Sequence, residues 1–276
     1  MSVRFAKMHG IGNDFVVIDC RQQPLALSTA RIAQLGDRRF GIGFDQLLTI
    51  EPARDASCAF RYGIYNSDGS PAGQCGNGVR CVAAWLRRDG ALGTGATRLE
   101  SPSGPVSVEL LSDERVRVDM GVPRFAPRDV PLQADAEQER YRLDIDGADV
   151  EFGAVSMGNP HAVLEVDHAA HAPLDTLGAA LSTDAHFPQG CNVGFAQVFD
   201  RAHLRVRVWE RGAGATLACG TGACAAVAVL RRRGRLDAEV TVELPGGTLD
   251  IRWDGPGAPV WMTGTADFVF EGTLAQ

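Results

Sequence analysis

The chain repeats itself. Set in register, residues 75–90 and 219–234 agree at eight of sixteen positions. Each copy opens on a cysteine framed by glycines, Cys75-Gly76-Asn77-Gly78 and Cys219-Gly220-Thr221-Gly222. Each then runs through an apolar, helix-like stretch to a basic pair (Arg87-Arg88, Arg231-Arg232) and a glycine (Gly90, Gly234). The register extends well beyond the cysteines. Gly12-Asn13 corresponds to Gly158-Asn159 and Gln46 to Asn192, both at an offset of 146. Asn66 and Glu210 each stand nine residues before their cysteine, and Glu100–Gly104 corresponds to Glu243–Gly247 at an offset of 143. A period this long is not that of a solenoid. It predicts a duplicated domain: two strand-rich lobes, each with one buried helix, and a ligand site in the cleft between them.

Bulk properties narrow the classes of function. The 276 residues are 45% hydrophobic, enough to bury full-sized cores. A net charge of −7 argues against a nucleic-acid partner, which needs a basic face. The start has no apolar signal-like run, and the longest apolar run, Ala223 to Leu230, is far shorter than a membrane span. Seven cysteines without framework spacing point to reduced thiols and a cytoplasmic location. Lys7 is the only lysine and falls in an apolar first strand, which argues against a pyridoxal Schiff base. The glycine strings fit no nucleotide motif: Gly10-Ile11-Gly12 lacks a third glycine, and no P-loop occurs. No Cys-x-x-Cys or histidine pair suggests a metal.

Alternation of apolar and polar residues predicts strands near 3–7, 14–19, 45–51, 58–65, 97–100, 105–110 and 115–119. Helices are predicted from Ser28 to Arg38 and over 76–88. After a proline-rich linker beginning at Gly121, strands are predicted near 141–145, 149–156, 161–166, 192–199 and 203–209, with a helix near 173–181. A helix at 220–233 and strands near 239–243, 247–253, 259–263 and 266–271 complete the chain.

A free thiol titrates near ~8.5, so little thiolate exists at neutral pH. At the head of a helix, unpaired N–H groups and the macrodipole favour the anion. The same groups attract a substrate carboxylate and acidify the carbon beside it. Two such thiols suit a reaction that removes a proton from one face of a carbon and returns it to the other. Cys20, Cys58, Cys81, Cys191 and Cys224 read instead as small buried hydrophobes. Around the two thiols the repeat places Asn13, Gln46, Asn66, Asn159, His161, Asn192, Glu210 and Arg211. Singly, each asparagine could be a cap or a turn residue. Arg211 offers a carboxylate a two-pronged donor, Glu210 can accept from an ammonium, and His161 is either a packed histidine or a neighbour tuning Cys219.

These residues resemble the signatures of the diaminopimelate epimerase family over the whole chain. The resemblance is carried by Met8–Phe15, Phe44–Leu48, Tyr65–Ser70, Gln74–Arg80, Gly158–His161, Cys191–Val193, Trp209–Gly214 and Ala218–Ala223. It implies an α/β (α+β) fold of two pseudo-symmetric lobes, each a curved, mostly antiparallel sheet around a central helix. One lobe would comprise 1–120 with a returning C-terminal strand at 264–276, the other 121–263. It implies cofactor-independent, metal-free epimerisation of LL- to meso-diaminopimelate, in lysine and peptidoglycan synthesis, by a cytoplasmic homodimer with no nucleic-acid or membrane partner. Cys75 and Cys219 would be the acid/base pair, and Gly76, Asn77, Gly220 and Thr221 would bind the reacting carboxylate. Asn66, Asn159, Asn192 and Arg211 would hold the distal carboxylate, with Glu210 on the distal ammonium. Asn13 and Gln46 would complete the pocket, with His161 and Glu210 near Cys219. A proline- or hydroxyproline-type racemase would share the thiols but not the distal clamp. A phenazine-type isomerase would share the fold but lack the thiol pair. A non-enzymatic redox or ligand-binding module would use the thiols without turnover.

Overall fold

The computed structural model describes residues 3–274, which form two compact units: residues 3–119 with 263–274, and residues 120–262. The first unit contains β1 (Val3–Gly10), β2 (Asn13–Asp19), α1 (Thr29–Gly36), β3 (Gln46–Pro52), β4 (Phe60–Asn66), α2 (Gly76–Arg88), β5 (Gly95–Ser101), β6 (Gly104–Leu110) and β7 (Val116–Asp119). Then come β8 (Tyr141–Ile145), β9 (Ala148–Ser156), β10 (Pro160–Glu165), α3 (Ala179–Ser182), β11 (Asn192–Val198), β12 (His203–Glu210), β13 (Gly214–Ala215), α4 (Gly220–Arg232), β14 (Glu239–Leu244), β15 (Gly247–Trp253) and β16 (Val260–Gly264). The last strand, β17 (Asp267–Leu274), pairs antiparallel with β1 in the first unit.

Strand pairing follows one plan in both units. In the first, β1–β2 and β3–β4 are antiparallel, β2–β3 and β4–β5 parallel, and β5–β6 and β6–β7 antiparallel. In the second, β9–β10 and β11–β12 are antiparallel, β10–β11 and β12–β14 parallel, and β14–β15 antiparallel. The strand beside β9 is β8, and β17 has the matching place beside β1.

Two parallel steps per sheet have a consequence. A parallel neighbour cannot be reached by a hairpin, so the chain must cross over, usually through a helix. In the first unit α2 is the crossover from β4 to β5, and in the second α4 is the crossover from β12 to β14. Both helices are enclosed by their own sheets. Helix α2 packs on β1, β2, β3, β6 and β7, and α4 on β9, β10, β11, β12, β14 and β15. This accounts for their composition: a helix covered on every side is apolar all round, and Val79–Ala84 and Ala223–Leu230 are buried throughout. Arg80 is buried too, and its Nε donates to the carbonyl of Thr265.

Helices 76–88 and 220–232 fall where the sequence puts them, as do nearly all the strands. The helix predicted near 173–181 is found over residues 174–182, but its first part is not α-helical. Leu174–Gly178 is a single wide turn with i→i+5 bonds, and only Ala179–Ser182 is α-helical. Pro173, which fixes its own φ and disfavours helix in the residue before it, sets the N-terminal boundary of this segment.

The contact between β9 and α4 is tight enough to require glycine. A Cβ on Gly153 would stand 2.3 Å from Cγ1 of Val229. We therefore expect Gly153→Ala to lower stability by about 1–3 kcal/mol through overpacking. Urea denaturation measures this, and an unchanged midpoint would contradict the packing described.

Candidate active site

The shared plan explains why residues scattered through the sequence gather at one end of each sheet. In the first unit Asn13 opens β2 and Gln46 opens β3, where Phe15 is the parallel partner of Gln46. Asn66 closes the antiparallel β4 directly opposite Gln46. The chain leaves β4 at that end and enters α2 through Cys75, the residue that caps it. In the second unit Asn159 precedes β10, His161 is the partner of Asn192 at the start of β11, and Glu210 closes β12. Cys219 caps α4.

Both cysteines have extended backbones, and the first helical bonds are Val79 N–H to Cys75 O and Ala223 N–H to Cys219 O. The N–H groups of Gly76, Asn77 and Gly78, and of Gly220, Thr221 and Gly222, therefore lack an acceptor within their helices. These groups make each helix head a donor site for an anion.

In the first unit, Cys75 Sγ donates to Asn13 Oδ1 at 3.6 Å, and Asn77 Nδ2 donates to the same oxygen at 3.2 Å. Asn13 follows a hairpin turn with two left-handed residues, Ile11 (φ 47°) and Gly12 (φ 90°). Glycine adopts that conformation freely; a β-branched isoleucine does so only under strain. Gln46 Nε2 donates to Asn66 Oδ1 at 3.0 Å, and Asn66 Nδ2 donates to Ser70 Oγ at 3.0 Å.

In the second unit, Asn159 Nδ2 donates to Thr221 Oγ1 at 3.4 Å, and that hydroxyl lies 3.7 Å from Cys219 Sγ. His161 Nε2 is 3.0 Å from Asn159 Oδ1. Burial, then the charge of Arg211, depresses the imidazole to about 3, so His161 is neutral and meets Cys219 through Asn159 and Thr221. Asn192 accepts the Arg211 backbone N–H at 2.9 Å. Arg211 Nη1 donates to the Gln189 carbonyl at 2.6 Å, which leaves most of its five N–H donors for a ligand. Arg211 also lines a hollow of about 680 Å³ with Phe187, Gly190 and Trp209.

One expectation is overturned. The helix head was expected to lower the titration of both thiols, but Cys219 is pushed well above the ordinary range. Burial is the larger cause and the charge of Glu210 the next; they outweigh the Thr221 hydroxyl and the Gly222 N–H, which favour the thiolate. Cys75 is half-buried. Of the other thiols, burial lifts Cys20 to about 11 and Cys191 to about 12.

Three side chains that bond to these residues were not singled out in the sequence. Asp45 accepts from Asn13 Nδ2 at 2.9 Å, Ser70 takes the Asn66 amide, and the Thr216 hydroxyl donates to Glu210 Oε1 at 2.6 Å. Position offers a partial signal, since Asp45 directly precedes Gln46 and Ser70 lies four residues after Asn66.

The family profile described as diaminopimelate epimerase matches residues 5–126 and 153–269. A diaminopimelate epimerase from Xanthomonas axonopodis pv. citri (strain 306) is 55% identical over 271 residues, covering 98% of this chain and 95% of the relative. One from Stutzerimonas stutzeri (strain A1501) is 51% identical over 274 residues, covering 99% of each. Among solved structures, a hydroxyproline epimerase from Agrobacterium vitis with bound trans-4-hydroxy-L-proline superposes with a TM-score of 0.69 at 16% identity, over 99% of this chain and 92% of that one. A PhzF-family phenazine biosynthesis protein from Bacillus anthracis gives 0.67 at 16% identity, over the full length of both. At that identity the likeness to these two is one of fold.

Because the Glu210 charge helps hold the proton on Cys219, Glu210→Gln should shift alkylation of Cys219 to lower pH. Iodoacetamide labelling across pH, read by peptide mass spectrometry, measures it. An unchanged or raised midpoint would remove Glu210 from the cause.

Proposed function

The chain belongs to the diaminopimelate epimerase family, and from that premise we propose how its residues invert one carbon of the substrate. The enzyme is an isomerase, and its activity is diaminopimelate epimerisation, a step of lysine and peptidoglycan-precursor synthesis. We assign the proton transfers to Cys75 and Cys219, acting on opposite faces of the α-carbon. The observation that supports this assignment is the duplicated arrangement of a cysteine at the N-cap position of a buried helix, linked to an asparagine directly (Cys75) or through Thr221 (Cys219), beside the helix's first-turn N–H groups.

In the forward sense, one thiolate takes the α-proton and becomes S–H. The carbon's electron pair delocalises into its carboxylate, which accepts from the N–H groups of Gly76, Asn77, Gly220 and Thr221. The other thiol then gives its proton to the opposite face and becomes the thiolate. No proton is gained or lost overall, and the two sulfurs exchange states. Preorganised donors of this kind contribute about 3 kcal/mol each in comparable sites. The substrate's α-ammonium, brought beside a sulfur, favours the thiolate that starts the reaction. Such a scheme needs no Schiff base, and the one lysine is already committed: Lys7 bonds to Asp14 and to the Gly43 carbonyl.

We place the distal end of diaminopimelate against Asn66, Asn159, Asn192 and Arg211, with Glu210 on its ammonium and Asn13 and Gln46 completing the pocket. A guanidinium and a carboxylate suit the zwitterionic far end of a diamino diacid. Thiols that must stay reduced fit a cytoplasmic location. We also propose a homodimer, supported by β17, where Val269 (55%) and Phe270 (49%) stand exposed on one strand. Sedimentation at twice the chain mass is expected, and a monomer at working concentration would contradict it.

Cys75→Ala and Cys219→Ala should each lower epimerisation about a thousandfold or more while leaving the circular dichroism spectrum unchanged. Coupled assay of meso-diaminopimelate formation measures the loss. Near-normal turnover by either folded variant would discard the two-thiol scheme.

A further inference from the structure

The two asparagines beside the thiols present opposite ends of their amides, and a carboxylate decides the first. Asn13 Nδ2 lies 2.9 Å from Asp45 Oδ2. A carboxylate only accepts hydrogen bonds, so the NH₂ end must face Asp45 and the carbonyl oxygen must face the other way. That oxygen receives Cys75 Sγ and Asn77 Nδ2. In the second unit the arrangement is reversed. His161 meets the Asn159 oxygen, and the NH₂ end points to Thr221, next to Cys219.

Asp45 is itself fixed. Its Oδ1 accepts from Arg38 Nη2 at 2.8 Å, and its Oδ2 also accepts the Asp14 backbone N–H at 3.1 Å. The Asp45 N–H returns a bond to Asp14 Oδ1 at 3.0 Å. Asp14 takes two bonds from Arg38, at 3.0 and 2.7 Å, and one from Lys7. Burial works against the Asp14 anion, but the bonds from Arg38 and Lys7 prevail and hold it at about 2. Asp14 is therefore ionised throughout the working range and holds Arg38 against Asp45.

We propose that Asp45 is a positioning residue: it locks the Asn13 amide so that its oxygen, not its NH₂ end, meets Cys75, which favours the S–H form of Cys75 in the substrate-free enzyme. Its catalytic meaning rests on the two-thiol scheme above, whereas the alkylation chemistry that tests it does not require turnover. Two other titratable groups interact with the charge of Cys75: Tyr62 on β4 and Cys81 on α2. Both remain in place in an Asp45 variant.

The test is the pH profile of Cys75 alkylation by iodoacetamide in the full chain, located by peptide mass spectrometry. Wild type, Asp45→Ala, Asn13→Ala and the double variant are compared. Releasing the Asn13 amide lets it turn an N–H to the thiolate, so Asp45→Ala should move the Cys75 midpoint down by about one pH unit. That corresponds to about tenfold faster labelling at neutral pH. The Cys219 profile should not move, and in the Asn13→Ala background Asp45→Ala should have no further effect on Cys75. An unchanged Cys75 profile in folded Asp45→Ala would overturn the proposal, as would an equal shift in the Asn13→Ala background. Should Asp45→Ala not fold, the side-chain NH₂ resonances of Asn13 in wild type decide. They should stay fixed as Cys75 titrates, and a large shift would show the NH₂ end facing sulfur. Activity of Cys75→Ala is a separate result and would count against the two-thiol scheme alone.

Discussion

The parallel step in each sheet is the constraint from which the rest follows. Strands β4 and β5 run the same way, as do β12 and β14, so the chain must cross each sheet through a helix. The helix starts where the preceding strand ends, and that is the end at which the polar residues of the neighbouring strands collect. A cysteine at the capping position then has unspent backbone donors on one side and asparagine amides on the other. Neither feature needs a long-range coincidence; both are local results of the topology. Burial of the whole helix fixes the thiol in place, and the same burial sets how hard its proton is to remove.

Duplication supplied two such heads, but the copies have not stayed chemically equal. Asn66 of the first copy is Glu210 in the second, Asn77 is Thr221, and Arg80 is Cys224. A carboxylate near Cys219 and a buried guanidinium on the helix of Cys75 give the two sulfurs different surroundings. Asp45 turns the Asn13 amide oxygen toward Cys75, whereas in the other copy the Asn159 NH₂ end faces Thr221 beside Cys219.

Much of this was legible in the sequence because the repeat doubles every signal. One asparagine in a turn means little, but Asn13 and Asn159 at matching positions invite comparison, and the helices at 76–88 and 220–232 are plain from their apolar runs. The stretch after Pro173 was legible as a helix from its apolar spacing, whereas its wide first turn was not. The titration of Cys219 was misjudged for a deeper reason. A helix head can be recognised from sequence, but the degree of enclosure that outweighs it depends on strands far away in the chain. The role of Asp45 escaped notice for the same reason, since its bond to Asn13 exists only once the sheet has brought the two close, whereas Ser70 and Thr216 bond to near neighbours in the chain.

The central claim is that one sulfur removes the proton and a different sulfur returns one. Initial-rate turnover of LL-diaminopimelate in heavy water, with isotope content measured separately in product and recovered substrate, tests it most directly. Two thiols predict deuterium at the inverted carbon of nearly every product molecule while the recovered substrate stays protiated at early times. Product that retains the original hydrogen, or deuterium appearing equally in recovered substrate, would mean a single base serves both faces and would contradict the account.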